Sequence, residues 1–263
     1  MLATELIAPP SWRCIDFISD LHLQVSEPDT FAARESYLTH TAADAVFILG
    51  DLFEVWVGDD CLLPNSFEQR CADVLKRTSA RNAIYVMHGN RDFLLSTAFM
   101  KTSGCTPLPD PTVIALGGTR WLLTHGDSLC LDDVDYQHFR KIVRGTQWQQ
   151  AFLSKPLLDR ESIAKGIRSQ SEDRKRSTVH YADADTAATV ALLNSNAAQH
   201  MIHGHTHRPA THTLPSGQTR TVLSDWDQAA SPPRAEVLRL QLHESHGWTS
   251  QRIAPEATST RLG

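Results

Sequence analysis

The chain has 263 residues, of which 41% are hydrophobic and 21% charged, and its formal net charge is −5. This length accommodates one large α/β domain, or one domain that carries a sizeable insertion. The acidic net charge argues against the basic field by which proteins attract nucleic acid, so we expect no nucleic-acid partner.

The cysteines and the N-terminal residues bear on the cellular setting. The five cysteines are odd in number and no pair is spaced Cys-x-x-Cys, so neither a disulfide framework nor a thiolate zinc site is expected. Residues 1–10 lack the charged start and long apolar core of a signal peptide. No apolar run is long enough to span a bilayer. We therefore expect a reducing, cytoplasmic setting.

Near the N-terminus, a short apolar strand is followed by two side chains that can act as ligands. Residues 14–18 are predicted to form a buried strand, and Asp20 and His22 follow it. Side chains two residues apart share one face of an extended chain. Ligands bind at the carboxyl ends of strands in open α/β sheets. Alone, this pattern fits a polar turn as well as a metal site, so its meaning depends on whether it recurs.

The pattern recurs at three more predicted strands, which alternate with helices predicted over 27–41, 66–79 and 94–103. The strand 44–49 ends at Gly50-Asp51, the strand 83–87 ends at Gly89-Asn90, and a hairpin over 112–124 ends at His125. A fifth strand, over 199–202, leads into a turn that carries His205 and His207. Chance rarely produces so many polar strand ends.

A long basic segment interrupts this alternation. Residues 132–177 have a helical pattern and contain ten lysines and arginines among helix-spaced apolar residues. The segment is therefore predicted to be a helical excursion from the sheet. The alternative is a solvated helical pair whose charges only keep the protein in solution. Beyond it we predict a helix over 184–194, a hairpin over 210–223, a strand over 235–242 and a loose polar tail from Ser245.

The strand-end residues together predict a two-metal site. They offer carboxylate, amide and imidazole donors, which are too many for one ion: Asp20, His22, Asp51, Asn90, His125, His205 and His207. A pair of metals about 3.5–4 Å apart needs a bridging group, for which Asp51 is the natural candidate. The mixed oxygen and nitrogen donors favour manganese or iron, with zinc also possible. Such a site hydrolyses phosphoesters or phosphoanhydrides, and His205 can also contact the phosphate.

These motifs resemble those of the calcineurin-like metallophosphoesterases. They are Asp20-x-His22, Gly50-Asp51, Gly89-Asn90, His125-Gly126 and Gly204-His205-x-His207. The resemblance implies an α/β fold (α+β in some schemes), a four-layered α/β/β/α sandwich, formed by residues 1–263 as a single domain with a helical lid inserted at roughly 134–178. It also implies two Mn²⁺ ions. One would be held by Asp20, His22, Asp51 and His207, and the other by Asp51, Asn90, His125 and His205.

Longer matches, such as 50–60 and 88–94, resemble one branch of that family. The branch cleaves the pyrophosphate of UDP-2,3-diacylglucosamine to UMP and 2,3-diacylglucosamine 1-phosphate, by water attack on the α-phosphorus, during bacterial lipid A synthesis. The resemblance implies an acylated UDP-sugar lipid as substrate and a cytoplasmic protein bound peripherally to the anionic inner-membrane surface. We also expect a monomer.

Substrate contacts follow from the same resemblance. Most members of the wider family have a histidine where this chain has Arg91; an arginine cannot act as a general acid, but it can clamp a pyrophosphate. Lid positions that contact substrate correspond to Asp133, Ser171 and Lys175, and the family has a lysine where this chain has Thr178. Asn90 and His205 are implied to contact substrate as well.

Two other functions fit the same residues. One is a calcineurin-like phosphodiesterase, pyrophosphatase or nuclease that acts on another nucleotide-linked substrate. A nuclease would need basic residues and aromatic side chains along a groove, whereas this chain concentrates its basic residues in one segment. The other is a scaffold that keeps the fold without catalysis, although a scaffold has no need of a full ligand set.

Overall fold

The structure is a computed structural model that describes residues 2–177 and 183–260, with the side chains of 169–177 left aside. The described strands form two mixed sheets of six strands each. In chain order the strands are β1 (Thr4–Ile7), β2 (Cys14–Ile18), β3 (Ala45–Leu49), β4 (Ala83–Met87), β5 (Thr106–Leu108), β6 (Thr112–Leu116), β7 (Thr119–Leu123), β8 (His200–His203), β9 (Ala210–Thr213), β10 (Thr219–Val222), β11 (Val237–His243) and β12 (Gly247–Ile253).

Strand order explains why the ligand-type residues meet. The first sheet runs β12-β11-β2-β3-β4-β5, and β2 to β5 are parallel, so β2, β3 and β4 end at one edge. The second sheet runs β1-β6-β7-β8-β10-β9, with β7, β8 and β10 parallel to one another. The turns after β7 and β8 therefore lie together as well.

Seven helices accompany the sheets in the described part of the chain. They are α1 (Pro28–His40), α2 (Phe67–Ser79), α3 (Thr97–Ser103), α4 (Val134–Val143), α5 (Thr146–Leu153), α6 (Leu157–Ser177) and α7 (Thr186–Ser195). Over the ranges described, none of them combines the length and hydropathy needed to cross a bilayer.

Alternating side chains of the strands separate the layers. In β2, Phe17 faces the second sheet and belongs to the core between the sheets with Leu123 and Ile202. Its neighbour Ile18 points the other way, into the core beneath α1 and α2. Leu193 of α7 packs on the outer face of the second sheet. Because strand side chains alternate, this pattern forms four layers, which confirms the predicted α/β/β/α sandwich.

The C-terminal tail differs from the prediction. The polar residues after Ser245 were expected to be loose, but β12 pairs with β11 along seven residues. A 3₁₀ turn at Pro255–Ser259 follows, and its Thr258 is fully buried. The carbonyl oxygens of Thr258 and Thr260 accept hydrogen bonds from Arg239. The tail is ordered because a buried guanidinium needs these acceptors and because β12 covers the edge of β11.

The same arginine forms a buried ion pair, and the loss of either partner should be strongly destabilising. Arg239 Nε lies 2.7 Å from Asp16 Oδ1, and both side chains are 0% exposed. Removing one partner of a buried pair leaves an uncompensated charge, so Asp16→Ala should lower the free energy of unfolding by about 3–5 kcal/mol in urea denaturation. The exposed Arg77–Glu35 pair is the control: Glu35→Ala should cost less than about 1 kcal/mol. Equal losses would contradict this assignment.

Candidate metal centre

Backbone hydrogen bonds extend the strand pairing into the loops that carry the ligand-type residues. The amide of Asp20 donates to the carbonyl of Gly50 (3.1 Å), and the amide of His22 donates to the carbonyl of Asp51 (3.0 Å). On the second sheet, the amide of Gly204 donates to the carbonyl of His125 (3.0 Å). The loops are therefore held to one another before any ligand binds.

Five of the seven candidate residues have left-handed backbone conformations. They are Asp20 (φ 53°), His22 (φ 47°), Asp51 (φ 52°), His205 (φ 66°) and His207 (φ 52°). Such a conformation costs a non-glycine residue roughly 1–3 kcal/mol, and it persists where the surrounding structure enforces it. The strain turns these side chains sharply out of their strands and toward one another, which points to a functional site.

One group of side chains surrounds His22. Its Nε2 lies 3.3 Å from His207 Nε2, 3.9 Å from Asp20 Oδ1 and 4.0 Å from Asp51 Oδ2. Asp20 Oδ1 also lies 3.3 Å from His207 Nε2. The other oxygen of Asp20 accepts hydrogen bonds from Ser19 Oγ (2.5 Å) and from the amide of His205 (2.9 Å), so Oδ1 is turned toward the imidazoles.

A second group surrounds Asn90. Its Oδ1 lies 3.0 Å from His125 Nε2 and 2.8 Å from His205 Nδ1. His125 Nε2 lies 3.7 Å from Asp51 Oδ1. Asp51 thus presents Oδ2 to the first group and Oδ1 to the second, as a bridging ligand does. By distance, one set of potential metal ligands is Asp20, His22 and His207, and another is Asp20, Asp51 and His125.

The pKa values of two of the imidazoles leave them in the neutral form that binds metal. Burial lowers the pKa of His22 to about 4, and burial with the nearby charge of His125 lowers the pKa of His205 to about 3, so both rings are neutral near pH 7. Burial alone would lower the pKa of His125, but the carboxylates of Asp51, Asp20 and Asp127 raise it to about 9. Carboxylates that favour a proton there equally favour a metal cation.

The residues present fit a pair of divalent cations. Asp20 is fully buried, and although burial alone raises its pKa, the contact with His207 holds that pKa well below its usual range. In the first group His22 Nε2 lies within 4.0 Å of one further imidazole nitrogen and two carboxylate oxygens, which is the arrangement of ligands around one cation. His125 Nδ1 lies 2.9 Å from the carbonyl of Leu49, which orients Nε2 toward Asn90. Mixed donors of this kind suit Mn²⁺, Fe²⁺ or Zn²⁺.

A glycine is needed where the loops after β3 and β4 touch. A Cβ at Gly89 would lie 2.0 Å from Asp51 Oδ1 and 2.3 Å from the amide nitrogen of Asp51. Gly89→Ala should therefore displace the bridging carboxylate and weaken divalent-metal affinity about 10- to 100-fold, measured by isothermal titration calorimetry. Gly166→Ala, where a Cβ would meet open space, should bind metal like the parent chain. Unchanged affinity in Gly89→Ala would contradict the role of Asp51.

Three buried acids support the centre, and sequence reasoning did not identify their roles. Glu54 Oε2 lies 2.9 Å from His22 Nδ1 and so orients that ring. Asp92 accepts hydrogen bonds from the amides of Gly89 (2.7 Å) and Leu52 (2.7 Å), which joins the loops after β3 and β4. Asp127 accepts from Tyr136 Oη, whose ring stacks on His205. Glu54, Asp92 and Asp127 each lie within two to three residues of a candidate ligand, but only the folded chain shows their partners.

The predicted basic excursion consists of α4, α5 and α6, and part of its charge points inward. Arg140 pairs with Asp127 (2.7 Å), and Arg144 donates to the carbonyl of Gly89 (2.8 Å). Arg160 is buried and pairs with Asp60, and Arg168 pairs with Glu54. These four arginines tie the helices to the loops of the centre, so they do not fit the alternative of a solvated helical pair whose charges only keep the protein in solution.

The predicted substrate-contact residues are placed differently from one another. Arg91 lies at the centre, where its amide donates to Asp51 Oδ1 (2.8 Å) and its Nη1 lies 3.1 Å from Glu54 Oε1. Asp133 is exposed and caps α4, accepting from the amide of Tyr136 (3.1 Å). The side chains of Ser171 and Lys175, and the whole of Thr178, lie outside the described residues.

Two sandwiched sheets and a cluster of carboxylate and imidazole ligands at their shared edge define a metal-dependent hydrolase. The sequence profile of calcineurin-like phosphoesterases matches residues 15–209. The chain therefore belongs to the calcineurin-like phosphoesterase family, as its motifs predict.

Within that family the chain is similar to curated proteins named UDP-2,3-diacylglucosamine hydrolase. The one from Chromobacterium violaceum is 46% identical over 219 residues, which cover 81% of this chain and 90% of the relative. Those from Shewanella piezotolerans and Pseudomonas putida are 43% and 41% identical; the matches cover 82% and 86% of this chain and 91% and 96% of the respective relatives. The similarity thus extends over most of each protein.

Proposed function

We propose that this chain hydrolyses the pyrophosphate of UDP-2,3-diacylglucosamine to UMP and 2,3-diacylglucosamine 1-phosphate, a step of lipid A synthesis. The observation that carries the proposal is the pair of ligand groups joined by Asp51, in a chain whose relatives at 41–46% identity are named for this substrate. We propose two Mn²⁺ ions as the cofactor, held as the family resemblance implies by Asp20, His22, Asp51 and His207, and by Asp51, Asn90, His125 and His205.

When bound, divalent ions withdraw charge from phosphoryl oxygens and lower the pKa of a nearby water toward neutrality. The protein's own side chains set the geometry for that chemistry. Asp51 lies between the two ligand groups and sets their spacing, and Asn90 and His205 are proposed to contact a phosphoryl oxygen. In the reaction, the water oxygen forms a bond to the α-phosphorus, the bond to the bridging oxygen breaks, and the sugar phosphate leaves.

Arg91 explains how this chain dispenses with a general acid. Its guanidinium cannot donate a proton at neutral pH, but a leaving sugar phosphate needs little protonation. Only Nη1 of that guanidinium is hydrogen-bonded to the described residues, through Glu54. The other N–H groups therefore remain for the oxygens of a pyrophosphate. Arg91 thus supports a phosphoanhydride substrate over a phosphate ester with a poor leaving group.

The helical segment supports an acylated substrate and attachment to a membrane surface. It and the turn before it expose large apolar side chains, including Val134 (70% exposed) and Leu158 (77% exposed). Exposed Lys141 and Lys155 lie on the same helices or their connections. Apolar and cationic groups together suit acyl chains and an anionic lipid surface. We therefore propose that residues 134–178 act as a lid, with Asp133, Ser171, Lys175 and Thr178 contacting substrate, in a monomer at the cytoplasmic face of the inner membrane.

A comparison of substrates tests this function. The Mn²⁺-loaded protein should hydrolyse UDP-2,3-diacylglucosamine far faster than UDP-glucose or CDP-diacylglycerol at equal concentration, with UMP quantified by chromatography. Equal turnover of UDP-glucose would overturn the role proposed for the helical segment. Preference for a different nucleotide-linked substrate would favour another calcineurin-like phosphodiesterase or pyrophosphatase.

A further inference from the structure

A cavity beside the metal centre is lined in part by residues that have no role in the chemistry described above. Its volume is about 260 Å³, and His22, His207 and Arg91 form the wall nearest the centre. Ligand pockets usually measure about 300–1,000 Å³. The cavity therefore suits a compact part of a substrate and is too small for a sugar with two acyl chains.

The lining of the cavity is polar and includes two side chains that have no partner among the described side chains. Gln24 and Glu27 line it from the loop between β2 and α1. Neither side chain forms a hydrogen bond or ion pair with any residue whose side chain the structure describes. On the opposite wall, by contrast, Arg234 is engaged by Asp225 (2.8 Å) and Asp227 (3.0 Å). The Gln24 amide and the Glu27 carboxylate are thus available to a ligand.

These two groups match the polar groups of a pyrimidine nucleoside. A side-chain amide offers one acceptor and two donors, so it can accept from the uracil N3–H and donate to the adjacent O4. A carboxylate accepts from ribose hydroxyls, as acidic residues do in nucleotide-binding folds. Since His22 and His207 belong to both the centre and the cavity wall, a phosphate at the centre places its attached nucleoside within reach of the cavity.

We propose that this cavity binds the uridine half of the substrate, with Gln24 pairing with the uracil edge and Glu27 accepting from the ribose. The assignment rests on the proposed function. It divides the substrate between two surfaces: the polar cavity receives the nucleoside, and the helical segment with its exposed apolar side chains receives the acylated sugar.

The test measures UMP binding to the Mn²⁺-loaded protein by isothermal titration calorimetry. Gln24→Ala and Glu27→Ala should each weaken UMP binding about 5- to 10-fold, as loss of a net hydrogen bond predicts. Each variant is paired with a ligand that lacks the matching group. In the parent chain 3-methyl-UMP should bind as weakly as UMP binds Gln24→Ala, with no further loss in that variant. Likewise, 2′-deoxy-UMP should bind the parent chain as weakly as UMP binds Glu27→Ala, and it should lose no further affinity in Glu27→Ala.

Gln251→Ala is the matched control, because Gln251 lies on the edge strand β12 outside the cavity. It should bind UMP like the parent chain. Unchanged UMP binding in both cavity variants would overturn the uridine assignment. A variant that loses as much affinity for 3-methyl-UMP as for 2′-deoxy-UMP would overturn it as well. Either result would count even if hydrolysis of UDP-2,3-diacylglucosamine is observed. Failure of that hydrolysis alongside the predicted UMP pattern would instead overturn the substrate and leave the cavity as a uridine nucleotide site.

Discussion

Asn90→Ala should lower turnover of UDP-2,3-diacylglucosamine by roughly 10²–10³-fold, as loss of a single group that stabilises the transition state typically does. Asn90 Oδ1 lies within 3.0 Å of both His125 Nε2 and His205 Nδ1, so it is the point at which the second ligand group converges. Alanine would remove the one amide oxygen of the proposed ligand set and a group that contacts the phosphate. The rate constant is measured with Mn²⁺ and substrate at saturation.

The fold should tolerate that substitution. Asn90 is partly exposed, and its loss removes hydrogen bonds worth about 1 kcal/mol each in stability. Asn194→Ala, on the exposed face of α7, is the control and should keep both turnover and stability. Turnover like that of the parent chain in Asn90→Ala would overturn the metal assignment. Unfolding of that variant in urea at a much lower midpoint would show that Asn90 is structural.

Removing divalent metal should abolish hydrolysis. The ions supply several kcal/mol of charge stabilisation, and each 1.4 kcal/mol is about tenfold in rate, so the chelated protein should lose at least about a thousandfold in turnover. Adding Mn²⁺ should restore it. The folded state should survive chelation, because the sheets and their cores do not depend on the ligand cluster. Circular dichroism in the far ultraviolet checks that point.

A parallel titration separates a catalyst from a scaffold. Metal-free protein that regains activity in proportion to added Mn²⁺, reaching a plateau near two ions per chain, supports a dinuclear centre. A protein that binds Mn²⁺ without hydrolysing any tested substrate would support the scaffold alternative. Full hydrolysis by protein that elemental analysis shows to be metal-free would contradict the chemistry proposed for the cluster.

The strands and the candidate ligands at their ends were predictable because the sequence patterns that mark them are local. An apolar run of strand length that ends in a glycine and a polar residue marks both the strand and its ligand, as at Gly50-Asp51 and Gly89-Asn90. Parallel strands of one sheet then bring these turns to a common edge. The short apolar run of β2 was likewise enough to predict a buried strand, and all five of its residues are buried.

Other features depend on partners distant in sequence. The position of Glu54 beside Asp51 gives no sign that it orients His22 and pairs with Arg168. The inward-pointing arginines of the helical segment have the same spacing as outward-pointing ones, and only their acidic partners distinguish them. Strand β12 is polar and edge-located, so its pairing with β11 is decided by the neighbouring strand and not by its own composition.

The left-handed backbone at five candidate ligands also lies beyond sequence reasoning. Aspartate and histidine adopt that conformation more readily than most residues, yet nothing in Asp20-Leu21-His22 specifies it. The conformation arises where two loops pair through the amides of Asp20 and His22. The cavity beside His22 has a similar origin, since the loop before α1 and the residues after β10 form its walls.

Hydrolysis of UDP-2,3-diacylglucosamine in ¹⁸O-labelled water tests the central claim most directly. Water attack on the α-phosphorus places one ¹⁸O atom in UMP and none in 2,3-diacylglucosamine 1-phosphate, and mass spectrometry of both products measures this. The Mn²⁺-loaded protein should give that distribution. Label in the sugar phosphate would contradict the site of attack, and recovery of intact substrate would contradict the proposed function itself.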